Sequence, residues 1–155
     1  MKTLVVFYSR TGTTRKVGVE LANQLKCEYE EIIDLKDRKG PIGWLTSGRD
    51  AMQKKLTDIK DFSRKINSYD LIVIGSPVWG GSVCPAVRTF LEKNKDNIKK
   101  TGFFCTMGGD NPSKVFEQME ETINKKPLGI LSLKTKEVND NNHIQKINDF
   151  VNLLR

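Results

Sequence analysis

Leu4-Val5-Val6-Phe7-Tyr8-Ser9-Arg10-Thr11-Gly12-Thr13-Thr14 is the stretch that decides the fold. Its first half is apolar throughout, which predicts a strand buried on both faces, as in the middle of a parallel sheet. From Thr13 to Leu25 the periodicity changes: Val17, Leu21, Ala22 and Leu25 recur on one helical face, and Gly18 marks close packing on the sheet. The loop between strand and helix is built for an anion. Backbone N–H groups at a helix start lack intrahelical partners, and the helix dipole favours negative charge there. Ser9, Thr11, Thr13 and Thr14 add hydroxyl donors, Gly12 lets the backbone come close, and Arg10 is the one guanidinium within the loop. Neutral donors suit a cofactor phosphate held in place, whereas phosphoryl transfer calls for a metal and several charges. Taken alone, such a turn is more often a helix cap.

Outward from this unit, strand-like and helix-like segments alternate, which predicts a parallel sheet with helices on both faces. Cys27 to Asp34 is a second strand, whose Glu28, Glu30 and Glu31 suit a sheet edge. Leu35 to Ser68 is the least legible part. Gly40-Pro41-Ile42-Gly43 breaks it, Trp44 to Leu56 reads as helical with Leu45, Met52 and Leu56 near one face, and Asp58 to Ile66 reads as a further helix or irregular connection. Leu71 to Ile74 is a third strand, ending in Gly75-Ser76-Pro77-Val78-Trp79-Gly80-Gly81-Ser82-Val83-Cys84. Pro85 suits the first turn of a helix that buries Val87, Phe90 and Leu91. Gly102 to Met107 is a fourth strand, closing in Gly108-Gly109-Asp110-Asn111-Pro112; Asn111 then caps a helix that starts at Pro112 and buries Phe116, Met119 and Ile123. A fifth strand, Gly129 to Thr135, alternates as an edge strand does, and a last helix, Asn142 to Leu154, buries Ile144, Ile147, Val151 and Leu154.

The 155 residues suit one domain, and 37% hydrophobic with 29% charged residues describes a soluble globular chain. No apolar run approaches the roughly 20 residues of a membrane span. The chain enters a strand directly after Met1-Lys2, leaving no room for a signal peptide, so the expected compartment is the cytoplasm. The three cysteines, Cys27, Cys84 and Cys105, fit reduced thiols and lack metal spacing. A net charge of +7 raises the question of nucleic acid, but Lys54, Lys55, Lys60, Lys93, Lys95, Lys99 and Lys100 lie among acids without interleaved aromatics, which is the pattern of solvated helix faces. A positive surface also steers acidic protein partners or anionic substrates.

In an open parallel sheet, ligands sit beyond the carboxyl ends of the strands, where strand order reverses. The glycine-containing loops after the first, third and fourth strands are therefore expected to converge on one site. Trp79, between Pro77 and Gly80-Gly81, can lie beside a flat ring, and Gly108-Gly109 allows close approach from the other side. A phosphate at one end and a flat ring at the other describe a mononucleotide, with a flavin the obvious candidate. The dinucleotide fingerprint and the Walker-type phosphate loop are both missing. Trp44 has two readings, a core or covering residue, which is preferred, and a lid beside a bound aromatic ring.

Ser9-x-Thr11-Gly12-x-Thr14 after a short apolar strand, together with Gly75-Ser76-Pro77-Val78-Trp79-Gly80-Gly81, resembles the flavodoxin-like family over essentially the whole chain. The resemblance implies a three-layer sandwich, a five-stranded parallel sheet in order 2-1-3-4-5 with helices on both faces, and FMN as cofactor. It assigns Ser9, Arg10, Thr11, Gly12, Thr13 and Thr14 to the phosphate, Pro77, Val78, Trp79, Gly80 and Gly81 to the isoalloxazine, and Met107, Gly108 and Gly109 to its pyrimidine edge. Familiar flavodoxins are acidic. This chain is basic, with Asp110 the one acid in its three loops and Arg15 and Lys16 just beyond Arg10, so repulsion of the anionic reduced flavin is weaker.

The leading expectation is an electron carrier between redox protein partners, acidic ones among them. The alternative is a small FMN-dependent NAD(P)H:quinone reductase or flavodoxin-like protoporphyrinogen oxidase, to which Val87-Arg88-Thr89-Phe90-Leu91 after Pro85 is also similar. A further alternative is a binding module that has lost the flavin. No nucleic acid is expected as partner. Cys84 and Cys105 at adjacent strand ends raise a redox pair, with ordinary buried thiols the preferred reading. His143, the one histidine, is expected on the surface.

Overall fold

The computed structural model describes residues 1–109 and 111–155. Its parallel strands are β1 (Thr3–Phe7), β2 (Glu28–Glu31), β3 (Leu71–Trp79), β5 (Lys100–Met107) and β6 (Ile130–Lys134), with a two-residue β4 (Ser82–Val83) between β3 and β5 in the chain. The sheet order is β2-β1-β3-β5-β6. Because β4 only folds back antiparallel on the end of β3, pairing Val78 with Val83 and Trp79 with Ser82, the five parallel strands stand in the order expected. β1 pairs on one side with β2, Leu4 opposite Glu28, and on the other with β3, Leu4 opposite Ile72. Strand order reverses between β1 and β3.

The helices are α1 (Thr13–Leu25), α2 (Gly40–Met52), α3 (Pro85–Asn94), α4 (Ser113–Ile123), α5 (Thr135–Asn139) and α6 (Ile144–Leu154). Successive strand residues point to opposite faces, so the apolar strands supply two cores. Leu4, Val6, Ile72, Ile74 and Phe103 pack against Val87 and Phe90 of α3 and Phe116 and Met119 of α4. Val5, Phe7, Val73, Phe104 and Leu131 pack against Val17 and Leu21 of α1, Val138 of α5 and Phe150 of α6. Each such side chain taken fully from water contributes on the order of 1.5–3 kcal/mol. Gly18 is where α1 meets the sheet: a β-carbon there would stand 2.3 Å from the Phe7 ring.

Five expectations need correction. Leu45, Met52 and Leu56 are not a core stripe; they are exposed, and α2 belongs to neither core. α2 begins at Gly40, the positive-φ glycine and Pro41 starting a helix where they were read as a break, and the chain from Thr57 to Lys65 is irregular apart from a bridge between Asp34 and Ile59. His143 is buried, 2% exposed, because the short α5 folds the chain back over it. Ile144 is exposed, whereas Phe150 of the same helix is buried in the core. Asn111 accepts the N–H of Ser113 on its Oδ1 at 3.0 Å, but the N-cap position is Pro112, and the helix starts one residue later than read, at Ser113.

Candidate functional site

At the carboxyl end of β1 the chain turns through Ser9, whose hydroxyl oxygen accepts the N–H of Gly12 at 3.1 Å. Gly12 has φ +102°, a conformation costly for any residue with a β-carbon, and it delivers the backbone into α1. No side chain caps α1, and its first internal bond runs from the N–H of Lys16 to the carbonyl of Gly12 at 3.0 Å. The loop is thus not organised as a side-chain helix cap, and the first-turn N–H groups are left for an outside acceptor. The Thr14 hydroxyl is buried and shares a 2.7 Å hydrogen bond with that of Thr106 on β5, tying the first loop to the neighbouring strand end. Thr13 is half-buried and Thr11 exposed. Beyond the loop, Glu31 accepts two hydrogen bonds from Arg15, at 2.8 and 2.7 Å, so that charge is neutralised, while Lys16 donates to the carbonyl of Val138 and to Asn141.

β3 runs on past its expected end to Trp79, and the hairpin with β4 turns at Gly80 and Gly81, φ +56° and +75°. The Trp79 indole meets Tyr8 edge-on at 5.5 Å and carries the guanidinium of Arg10 at 5.3 Å and that of Arg38 at 5.6 Å from its ring centre. Arg10 therefore lies against the ring loop, not only the phosphate loop. Arg38 is buried and held by Asp34 at 2.6 Å and Asp50 at 3.1 Å. Burial alone would raise the Asp50 carboxyl, but hydrogen bonds from Lys36 and Arg38 outweigh it and hold it at about 2. Inside the hairpin, the Ser76 hydroxyl accepts the N–H of Cys84 at 3.2 Å. Cys84 and Cys105 are free buried thiols, pushed by burial up to about 11 and about 12.

At the end of β5, Met107 is buried, and its carbonyl accepts the Thr135 hydroxyl at 3.3 Å. Gly108 and Gly109 are exposed, with open space where a β-carbon would stand. Asp110 lies outside the described residues.

The three loops converge. A cavity of about 290 Å³ is lined by Arg10, Thr11, Thr13 and Thr14 from the first, Pro77, Val78 and Trp79 from the second, and Met107 and Gly108 from the third. Ser9, Gly12, Gly80, Gly81 and Gly109 belong to the same loops but do not line it. Thr106 and Thr135 line it unforeseen by sequence reasoning; Trp44 also lines it, and at 62% exposed it is no core residue, so the preferred core reading gives way to a position at the cavity. The strand-end position of Thr106 and the polar Thr135 at the end of the edge strand were the available signals. Arg10 is the one charged side chain among the described lining residues. A larger chamber of about 590 Å³ adjoins it between α2 and Trp79. Hydroxyls and an uncapped helix start at one end, with an indole and open glycine backbone at the other, fit a phosphate-bearing flat ring. Among the described residues there is no cluster of metal-binding side chains and no helix long and apolar enough to cross a membrane.

Solved structures similar to the chain include flavoproteins and flavodoxins. A flavoprotein from Lactobacillus acidophilus, solved in complex with FMN, is 25% identical, with 95% of this chain and 98% of that one covered at a TM-score of 0.75. Two-electron reduced flavodoxin from Megasphaera elsdenii, 15% identical, covers 96% of this chain and 97% of its own at 0.61, and oxidised flavodoxin 1 from Bacillus cereus, also 15% identical, covers 99% and 97% at 0.56. The two flavodoxins share the fold. No curated protein matches the sequence. The family model for NADPH-dependent FMN reductase matches residues 1–140, nearly the whole chain including all three loops, and the protein therefore belongs to that flavodoxin-like, FMN-binding family.

Proposed function

We propose that the protein is an FMN-dependent oxidoreductase that takes reducing equivalents from NADPH. The convergence of the three loops on one cavity carries this reading, and family membership supports it. The hydroxyls of Thr11, Thr13 and Thr14 and the free N–H groups at the start of α1 hold the phosphate. Ser9 and Gly12 shape that loop without lining the cavity. Pro77, Val78 and Trp79 flank the ring and Gly108 meets its polar edge, while Gly80, Gly81 and Gly109 shape the same loops without lining the cavity. Met107 closes the floor. Bound FMN supplies hydride and single-electron transfer, and the chain supplies position, electrostatics and exclusion of water.

The electron carrier expected first from the sequence is the second reading. Its support is that no carboxylate, histidine or lysine lines the cavity among the described residues, so no side chain is placed there as acid or base for a substrate. Under it, the basic surface docks acidic redox proteins. The free thiols accord with a cytoplasmic setting for either reading. Steady-state turnover of the FMN-loaded protein with NADPH and a quinone decides between them: sustained NADPH oxidation supports the oxidoreductase, and none under conditions where chemical reductants reduce the flavin supports the carrier. Thr11→Ala with Thr14→Ala tests the site itself, since unchanged FMN affinity would remove the phosphate from this loop.

A further inference from the structure

We propose that the chamber between α2 and the β3–β4 hairpin binds a second molecule beside the flavin, and that its ligand is a flat aromatic anion. This deepens the oxidoreductase reading and rests on it.

The orientation of α2 is the first observation. An amphipathic helix on a sheet turns its apolar side inward. α2 does the reverse: it buries Gly43, Ser47, Asp50 and Ala51 and exposes Ile42, Trp44, Leu45 and Met52 at 62% or more. What fixes it is polar, the bonds of Asp50 to Lys36 and to Arg38, which Asp34 holds in turn. It is also seated on the hairpin tip, where the Met52 side chain occupies the space a β-carbon on Gly80 would need. A helix anchored by ion pairs with its apolar residues turned out presents those residues to something else.

The second observation is the chamber that they bound. About 590 Å³ is walled by Trp44, Leu45, Met52, Val78 and Trp79, with Arg10 and Arg49 the only charged groups among its described lining residues. Neither guanidinium is fully answered. Arg10 has no carboxylate partner among the described residues and rests on the Trp79 ring. Among the described residues Arg49 reaches only Asp50, at 3.3 Å, a carboxylate already engaged by Lys36 at 2.7 Å and Arg38 at 3.1 Å, and it stays about half exposed. Two indoles and a thioether select a flat ring; two under-compensated guanidiniums select a carboxylate, sulfonate or phosphate on it. The hydroxyls that suit the FMN phosphate line the smaller cavity and not this chamber, while Arg10, Trp44, Val78 and Trp79 are common walls, which leaves Arg49 as the guanidinium belonging to the chamber alone. A guest here lies next to the flavin site and shares those walls with it.

The test uses the oxidised, FMN-loaded protein without reductant, titrated with naphthalene-2-sulfonate and with its neutral counterpart naphthalene-2-sulfonamide, by calorimetry and tryptophan fluorescence. The sulfonate is expected to bind at least tenfold more tightly than the sulfonamide. Arg49→Ala is expected to weaken the sulfonate at least fivefold and the sulfonamide less than twofold, with Arg49→Lys between, and FMN affinity is expected to stay within twofold in both variants. Equal binding of the two probes, or no effect of Arg49→Ala, overturns the proposal. Displacement of FMN by the sulfonate also overturns it, because the chamber would then house the flavin ring. Failure to bind FMN at all refutes the functional reading and this inference together, whereas FMN binding without sulfonate preference refutes this inference alone.

Discussion

The Thr14–Thr106 hydroxyl pair separates a stabilising contact from a cofactor contact, because removing the second hydroxyl restores the one and not the other. Both residues are buried, 1% and 4% exposed, and their oxygens are 2.7 Å apart. Thr14→Val leaves the Thr106 hydroxyl buried without its partner, which costs about 1–3 kcal/mol of stability, and Thr106→Val does the same to Thr14. Removing both hydroxyls removes the orphan, so the double variant is expected to recover most of that loss. FMN affinity behaves otherwise. A hydrogen bond to a charged group contributes about 1.5–3 kcal/mol, so loss of the Thr14 donor raises the FMN dissociation constant roughly 10- to 100-fold, and the double variant does not recover it. Urea unfolding of the apoproteins measures the first quantity and flavin fluorescence titration the second. A double variant as unstable as the sum of the singles, or one that binds FMN like the parent, would refute the reasoning.

Gly18→Ala forces a methyl group against the Phe7 ring and is expected to lower stability by about 1–3 kcal/mol in urea unfolding, with FMN affinity nearly unchanged. The Asp50 carboxyl, held at about 2 against an ordinary 3.8, stabilises the folded state fully above about pH 4, and that contribution is lost as pH falls toward 2. The loss amounts to about 2 kcal/mol, so the melting temperature of the parent should fall more steeply between pH 4 and 2 than that of Asp50→Asn; equal slopes would remove the network from the account. With no carboxylate among the described lining residues and Arg10 beside Trp79, transfer of the second electron to bound FMN should be less reducing than in an acidic flavodoxin, which a redox titration checks.

The sequence was most legible where local pattern and global fold coincide. Apolar runs such as Leu71 to Ile74 can only be central strands, α1 begins and ends where its periodicity does, and the loops after β1, β3 and β5 had to meet because topology brings those strand ends together. Leu35 to Ser68 was illegible for a physical reason. α2 is held by Asp34, Arg38 and Asp50 and not by an apolar stripe, so periodicity assigned its exposed residues to a core that they do not enter. The hairpin strand β4 is too short to carry a pattern, and α5 covers His143 through a tertiary fold-back that no local signal announces. Trp44 was ambiguous for the same reason as α2; only its exposure at the cavity rim separates a lid from a core residue.

The measurement that bears most directly on the account is titration of the apoprotein with FMN, following flavin and tryptophan fluorescence together. The three-loop site predicts saturable binding of one FMN per chain, with Trp79 emission quenched as the ring arrives and binding much weakened for riboflavin, which lacks the phosphate. Absence of saturation, or equal affinity for FMN and riboflavin, would contradict it.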